Sequence, residues 1–350
     1  LGSRGLGDVY KRQLQHCKIK AIISLPDETF KPNKINVKSS VLYLEKRIQP
    51  DLFFEDNYKV TVGYLNSLGY FGSGEKIRGF KKNTFLHEIE SNLLDQSKGI
   101  SRNGYCWKAF DIEINKIYTD RTHRLDYKYW DLEILDKIEE LKNNENLYIS
   151  ELNTIDTTRG KSPSAENYVD EQDGYALVVK AGSNISKLGK IILENSDWIE
   201  KSVYDEFYEK SKEQNSNLNL IQKGDVLLAS TGEGTLGKCC VYDLNIPAIA
   251  DGHVTIIRVN KSIIDPYYLA DYLRVGFGAK QISRLYTGST GLIELTPEHV
   301  NSIIINTLKK NTKQQKQLSR KLRNIEKRYE TTLKHADKLL TESKNLFNNY

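Results

Sequence analysis

Three stretches of this chain carry residue types that could do chemistry. Gly232, Gly234 and Gly237 spell G-x-G-x-x-G directly after the apolar run Val226 to Ala229. Such a turn can cradle a pyrophosphate, provided that a helix comes next and aims its N-terminus at the phosphates. The next residues are instead Lys238-Cys239-Cys240-Val241-Tyr242-Asp243, short and β-prone, with Asn245 and Pro247 soon after. The pattern therefore predicts a hairpin turn and excludes a stand-alone nucleotide enzyme. Asp251-Gly252-His253 pairs an acid with a base, but no neighbouring motif marks a serine or cysteine nucleophile. A structural or surface histidine is the expectation there. Arg159-Gly160-Lys161-Ser162-Pro163 joins small, basic and turn-forming residues. It suits a loop that touches phosphate, and it equally suits an ordinary exposed turn.

The four cysteines, Cys17, Cys106, Cys239 and Cys240, form no C-x-x-C pair, and the last two are adjacent in a strand-like run. Reduced, buried thiols are expected, not a zinc site. No signal peptide is legible, which points to the cytoplasm, and no apolar run approaches the roughly 18–20 residues of a membrane helix. The 350 residues are 39% hydrophobic and 28% charged, enough for two or three units with real cores. The formal charge of +5 is unevenly spread. Residues 309–350 hold 12 Lys/Arg against 4 Asp/Glu, a net of +8, while the other 308 balance to −3 (39 against 42). Methionine is absent, which predicts a fragment of a longer protein. Residues 1–13 have no periodicity and resemble a non-native leader.

These stretches must be positioned by regular elements, and the pattern of the chain predicts them. Lys18 to Lys46 predicts strand, loop, strand, broken at Pro26-Asp27. Tyr127 to Leu141 places Trp130, Ile134, Ile138 and Leu141 on one face of a helix, read as a linker between two units. From Leu147 to Asn306 short apolar runs alternate with turns. Ala176 to Val179, Ile191 to Leu193, Val226 to Ala229, Val254 to Ile257 and Ile303 to Ile305 predict strands. Val203 to Lys212 predicts a short helix or loop. Pro266 to Gly276 and Ile282 to Tyr286 predict helix, and Thr296-Pro297-Glu298 predicts an N-cap with proline at the first helical position. In the tail, Leu322, Ile325, Tyr329, Thr332, Ala336, Leu339, Ser343 and Leu346 step by 3 and 4. That heptad-like seam cannot bury itself and predicts pairing with a like helix.

Two resemblances arise from the wording of the chain. The run "KAIISLPDETFKPNKINVKSSVLYLEKR" with Gly69-Tyr70…Gly74 resembles the last strands of the adenine-N6 DNA methyltransferases of type I restriction-modification systems. This likeness spans about residues 17–115. That family binds S-adenosylmethionine through a glycine-rich loop and methylates adenine with an Asn-Pro-Pro-aromatic motif. Neither is present here, so the resemblance implies no activity and no cofactor for this chain alone, and S-adenosylmethionine only for an intact methyltransferase. "HRLDYKYW", His123 to Trp130, resembles the run-in to a specificity domain.

The second resemblance is to the target recognition domain of type I specificity subunits. It rests on Gly224-Asp225-Val226-Leu227-Leu228-Ala229, Gly234-Thr235-Leu236-Gly237-Lys238, Asp265-Pro266-Tyr267-Tyr268-Leu269 with Tyr272-Leu273, and Gly288-Ser289-Thr290-Gly291. Such subunits usually carry two of these domains, whereas one is present here.

Together these imply an α+β chain: a β-rich target recognition domain flanked by the end of an α/β methyltransferase domain and a long coiled-coil helix. The expected divisions are a leader over 1–13, an incomplete methyltransferase end over 14–115, a linker helix over 116–146, a recognition domain over 147–308, and a spacer helix over 309–350. The implied partners are double-stranded DNA and, through the 309–350 helix, modification or restriction subunits or a second copy. The expected DNA contacts are Arg159, Lys161, Ser162, Lys180, Ser230, Thr231, Lys238, Arg284, Ser289 and Thr290. The competing expectation is a non-catalytic assembly module built on the coiled coil. Charge placement separates them, because basic residues gathered on one face favour DNA.

Overall fold

The computed structural model describes residues 12–35, 37–48, 57–81, 101–103, 106–144, 146–213, 220–288 and 292–348. The expectations on residues 1–11, on residues 82–100 of the 14–115 division, and on Ser289, Thr290 and Gly291 lie outside the described residues. The chain is mixed α+β and separates into two compact units, Leu1–Asp136 and Lys137–Tyr350.

The first unit is built on one sheet: β1 (Cys17–Ser24), β2 (Ser40–Lys46), β3 (Lys59–Leu65), β4 (Ser101–Asn103) and β5 (Trp107–Glu113), in the order β2-β1-β3-β5-β4. β1 runs antiparallel to β2 and parallel to β3. Ile22, Val60, Val62, Phe110 and Ile112 are buried on one face and Ala21, Thr61, Ala109 and Asp111 on the other, so the central strands are covered on both faces. The outer strand β2 is different, with Val41 and Tyr43 exposed.

Three helices come next: α1 (Ile114–Thr119), α2 (Tyr127–Trp130) and α3 (Leu132–Lys142). The single helix expected over Tyr127–Leu141 is in fact two. Asp131 leaves helical geometry at φ −53°, ψ 113°, and its carboxylate accepts from the Glu133 amide at 3.0 Å. A short acidic side chain that satisfies a free amide favours a helix start over continuation.

The second unit starts with β6 (Leu147–Tyr148), α4 (Ile149–Leu152), β7 (Thr158–Arg159) and β8 (Tyr168–Val169). It continues with β9 (Ala176–Val179), β10 (Asp197–Ile199), α5 (Lys201–Glu213), β11 (Leu220–Ile221), β12 (Val226–Ala229), β13 (Cys239–Val241), β14 (Ala248–Ala250) and β15 (Val254–Ile257). α6 (Pro266–Val275), α7 (Phe277–Leu285), α8 (Pro297–Asn301), β16 (Ile304–Ile305) and α9 (Thr312–Asn348) complete it.

One sheet has the order β11-β14-β9-β10-β8 and another β13-β12-β15-β7. Between them Leu177, Val179, Ala248 and Ala250 pack with Leu227, Ala229, Cys240, Val254 and Ile256. The outer face of the first sheet, Ala176, Val178, Ile199 and Ile249, is covered by Val203, Tyr204 and Phe207 from α5. With both faces covered, a strand is apolar almost throughout, which is why β9 and β12 read as unbroken runs and β15 is interrupted only by Thr255. Ile191 to Leu193, expected as a strand, makes only a single bridge from Ile191 to Ile185. Ile192 and Leu193 stay largely exposed, so no buried face rewards a longer ladder there. At α8, Thr296 accepts from His299 and Pro297 opens the helix, the cap expected.

The Gly224-Asp225 pair has a structural role. Asp225 is 1% exposed and takes both oxygens to Arg258, Nε–Oδ1 and Nη2–Oδ2 each at 2.7 Å. It also accepts from the Gln222 amide at 2.7 Å, and Arg258 donates to the Leu220 carbonyl at 3.1 Å. Removing one partner strands a buried charge, so Asp225→Ala should lower unfolding free energy by about 3–5 kcal/mol. A urea titration checks this, and a midpoint equal to wild type would remove the pair from the account of stability.

Candidate nucleic-acid interface

Sheet register brings five turns to one end of the second unit. β9 and β14 are parallel, so Val179 and Ala250 finish side by side. Ala229 at the end of β12 lies opposite Val254 at the start of β15, and Leu228 lies opposite Cys239 at the start of β13. Arg159 at the end of β7 lies opposite Thr255. The turns 159–163, 180–184, 230–238 and 251–253 therefore leave the sheets at the same end. Residues 286–288 and 292–295 join them through bridges from Glu294 to Thr231 and Thr287.

The G-x-G-x-x-G stretch is the hairpin between β12 and β13. Gly232, Gly234 and Gly237 sit at φ +87°, +79° and +88°. Side chains with a Cβ rarely adopt that region, so glycine is required for the backbone path itself. The Gly232 amide donates to Ile293 O at 3.0 Å, which ties the hairpin to residues 292–295.

A polar chain links the hairpin to the 251–253 turn. Thr255 Oγ1 donates to Ser230 Oγ at 2.8 Å, and Ser230 Oγ donates to His253 O at 3.2 Å. Thr231 Oγ1 lies 2.6 Å from His253 Nδ1. The His253 amide donates to Asp251 Oδ1 at 2.9 Å. Burial pushes the Asp251 carboxyl above its ordinary range, and that amide partly counters the shift. Pinned at Nδ1, the His253 ring stands exposed at the tip of its turn.

The basic residues divide by what they touch. The Arg159 guanidinium is ion-paired with Glu294 and donates to Leu295 O at 2.9 Å. Lys180 pairs with Asp197 at 2.7 Å and lies 4.6 Å from the centre of the Tyr168 ring. Burial pulls its pKa down, but the Asp197 carboxylate outweighs that and leaves it raised. Lys161 is exposed, and its own amide is fixed to Ala250 O at 3.0 Å. Lys238 reaches Gly182 O at 3.4 Å. Neither lysine is in an ion pair among the described residues. Ser162 is exposed and accepts from the Gly252 amide at 3.2 Å. Arg284 lies in the last turn of α7, three residues before Thr287. Ser230 is 0% exposed, so its hydroxyl holds the turn from within.

Sequence reasoning missed Glu294 and Asn184. Asn184 is 0% exposed and organises the 180–196 segment. Its Oδ1 accepts from the Lys180 amide at 2.8 Å, while Nδ2 donates to Ile192 O at 2.9 Å and Ser196 Oγ at 2.7 Å. The signal available was Gly182-Ser183-Asn184, a turn-prone triplet whose asparagine can bond the backbone around it.

The first unit has a concavity of its own. A cavity of about 340 Å3 is lined by Pro26, Glu28, Asn66, Leu68, Tyr70 and Phe71 among others. Tyr70 of the Gly69-Tyr70 stretch closes one wall by donating to Thr29 O at 2.8 Å. Among the described residues no His/Cys/Asp/Glu group could hold a metal ion, and no helix is long and apolar enough to cross a membrane.

No family profile and no curated protein matches the sequence. Among solved structures, a chain from a study of the assembly and conformational transition of a type I restriction-modification system is similar at 14% identity and TM-score 0.39, covering 67% of this chain and 53% of that one. The type IIG restriction endonuclease BpuSI is similar at 11% identity and TM-score 0.43, covering 91% and 40%. The HsdS subunit from Thermoanaerobacter tengcongensis is similar at 14% identity and TM-score 0.35, covering 92% and 88%. The chain thus spans about half the length of the first of these.

Asn184→Ala leaves the Lys180 amide and the Ile192 carbonyl without their partner. The expected loss is about 2–4 kcal/mol of unfolding free energy, with faster amide hydrogen exchange over 180–192. Unchanged exchange in that segment would show that other contacts hold the turn.

Proposed function

We propose that the second unit is a target recognition domain that reads double-stranded DNA, the specificity part of a type I-like adenine-N6 DNA methyltransferase. One observation carries the reading most directly. Five turns converge at one end of two packed sheets and present Lys161 and Lys238 outside any described ion pair. A rigid β scaffold with polar, basic turns gathered at one end supplies phosphate contacts and positions side chains for base edges. The ordered likeness from Gly224-Asp225 to Gly288-Ser289-Thr290-Gly291 supports the same assignment. On this reading Lys161, Lys238, Ser162 and Thr231 face the DNA. Arg159 and Lys180 act mainly by holding their loops, because their charges are already matched by Glu294 and Asp197.

The first unit is, on the same reading, the end of a methyltransferase domain. Its chemistry and S-adenosylmethionine belong to the intact enzyme, and no residue of this chain is assigned to that cofactor. The protein works in the cytoplasm with modification or restriction subunits.

The helix α9 supports a partner reading. Ile325, Tyr329, Leu339 and Leu346 are all more than half exposed, although their heptad spacing suits a helix–helix seam. A second copy of this chain fits that stripe, because a like helix presents the same spacing. The competing assembly-module function uses this seam alone and needs no DNA.

Two measurements test these statements. Duplex DNA binding followed by fluorescence anisotropy should weaken steeply from about 50 to 200 mM salt. Lys161→Ala and Lys238→Ala should each lower the salt slope by about 1. Binding that is flat with salt, or absent, removes the DNA reading and leaves the assembly module. In sedimentation velocity the full chain should be a dimer, and Ile325→Glu with Leu339→Glu should make it a monomer with unchanged circular dichroism. A monomeric wild-type chain would assign the stripe to a different subunit.

A further inference from the structure

The helix α9 docks the wrong way round for an ordinary amphipathic helix. Its apolar stripe is out: Leu318, Ile325, Tyr329 and Leu333 are exposed. Its buried and paired positions are polar. Gln315, Ser319, Arg323, Glu326 and Glu330 step along the helix by 4, 4, 3 and 4, one face at helical spacing.

Each of these meets a specific partner. Gln315 is 0% exposed, accepts from the Asp265 amide at 2.7 Å and donates to Thr307 O at 2.7 Å and Ile263 O at 3.1 Å. Ser319 donates to Asp271. Arg323 reaches Asp271 at 3.4 Å and stacks 4.4 Å from the centre of the Tyr267 ring. Glu326 takes both oxygens to Arg274, at 2.6 and 3.1 Å. Glu330 pairs with Lys190 at 2.5 Å.

Arg274 stands at the centre of this network. Its side chain is 4% exposed. Besides Glu326 it binds Asp271 at 3.0 Å and donates to Lys187 O at 3.0 Å. The 186–190 turn folds directly over it. A Cβ at Gly189 would fall 2.9 Å from Arg274 Nε, and Gly189 sits at φ +69°. One guanidinium thus ties α6, α9 and a turn adjoining the 180–184 segment. The connection into α9 is itself strained, because Leu308, Lys309 and Lys310 hold φ of 49°, 55° and 60°. Three consecutive residues in the left-handed region persist only where their surroundings dictate it.

We infer that Arg274, with Asp271, Glu326 and Arg323, is a positioning device that fixes the direction in which α9 leaves the recognition domain. Two arginines balance two carboxylates. Buried ion pairs add little net stability compared with apolar packing, but they accept few alternative geometries. An apolar stripe could slide or rotate on the domain, whereas a bidentate guanidinium cannot. The same arrangement leaves the apolar stripe free for another helix. From Glu330 to Leu346 the free helix extends about 24 Å, so a 10° tilt at the dock moves its end by about 4 Å. On the DNA reading proposed for this domain, on which this last step rests, Arg274 thereby sets the spacing between two half-sites without touching DNA.

The test uses the full chain carrying Cys17→Ser, with spin labels at Lys261→Cys on the domain and Lys338→Cys on the helix, and measures their distance by pulsed electron resonance. The wild-type background should give one narrow distance. Arg274→Lys keeps the charge but loses the fork. The triple variant Asp271→Leu, Arg274→Met, Glu326→Leu replaces the ions by apolar groups and should stay folded by circular dichroism. The label at position 338 lies about 12 Å beyond Glu330, so both should broaden or shift the distance by about 2 Å for each 10° of freedom gained. A wild-type distribution already broad, or folded variants with the wild-type width, overturns the inference. A second arm selects duplexes with paired sites from a random library. Wild type should enrich one spacing, and the triple variant several, with unchanged affinity for a single site. If wild type enriches no DNA, the DNA reading fails while the distance result still decides the role of Arg274.

Discussion

The second unit depends on the contact between two sheets whose central strands turn apolar side chains toward each other. Leu177 and Val179 from one sheet meet Leu227, Ala229, Val254 and Ile256 from the other, with Cys240 and Ala250 filling the narrower places. Such a core tolerates no polar backbone group without a partner, so the chain can turn only at strand ends. The register puts several of those ends together, and the polar cluster there is a consequence of closing the core. The buried hydroxyls of Ser230 and Thr255 show the transition from core to rim, since each is satisfied by the other or by the His253 carbonyl.

Besides the buried Asp225–Arg258 pair, opposite charges serve two different ends. At the strand ends, Glu294 and Asp197 neutralise Arg159 and Lys180. These pairs are partly exposed, so each contributes on the order of 1 kcal/mol or less and serves mainly to place a loop. At the α9 dock, Asp271, Arg274 and Glu326 are almost fully enclosed. There a missing partner is costly, and the geometry is correspondingly fixed. The seam residues of α9 lie outside both networks, which leaves them open to a helix from elsewhere.

Much of this was legible in the chain. The strands at 176–179, 226–229 and 254–257 follow from apolar runs bounded by turn residues, and the cap at Thr296-Pro297 follows from residue type alone. The hairpin at Gly232–Gly237 follows from the β-prone stretch behind it. Three features were not legible. Asp131 breaks one periodic helix into two, because its carboxylate competes locally for an amide. Ile191–Leu193 has strand composition, but only Ile191 packs on the core while Ile192 and Leu193 are exposed. Arg159 and Ser230 read as surface contacts, but an acid 135 residues away claims the first and the core encloses the second.

The sequence by itself determined where the chain is extended, where it turns and where it is helical, because those choices rest on periodicity and on residues with special backbone freedom. It also determined the charge of the tail and the heptad spacing of its apolar residues. Tertiary structure alone decided which basic residues are already neutralised and which remain available. It alone decided that α9 would dock by its polar stripe and leave its apolar one free. Both outcomes depend on groups far apart in sequence, Arg159 with Glu294 and Arg274 with Glu326, whose pairing energy is set by burial and geometry.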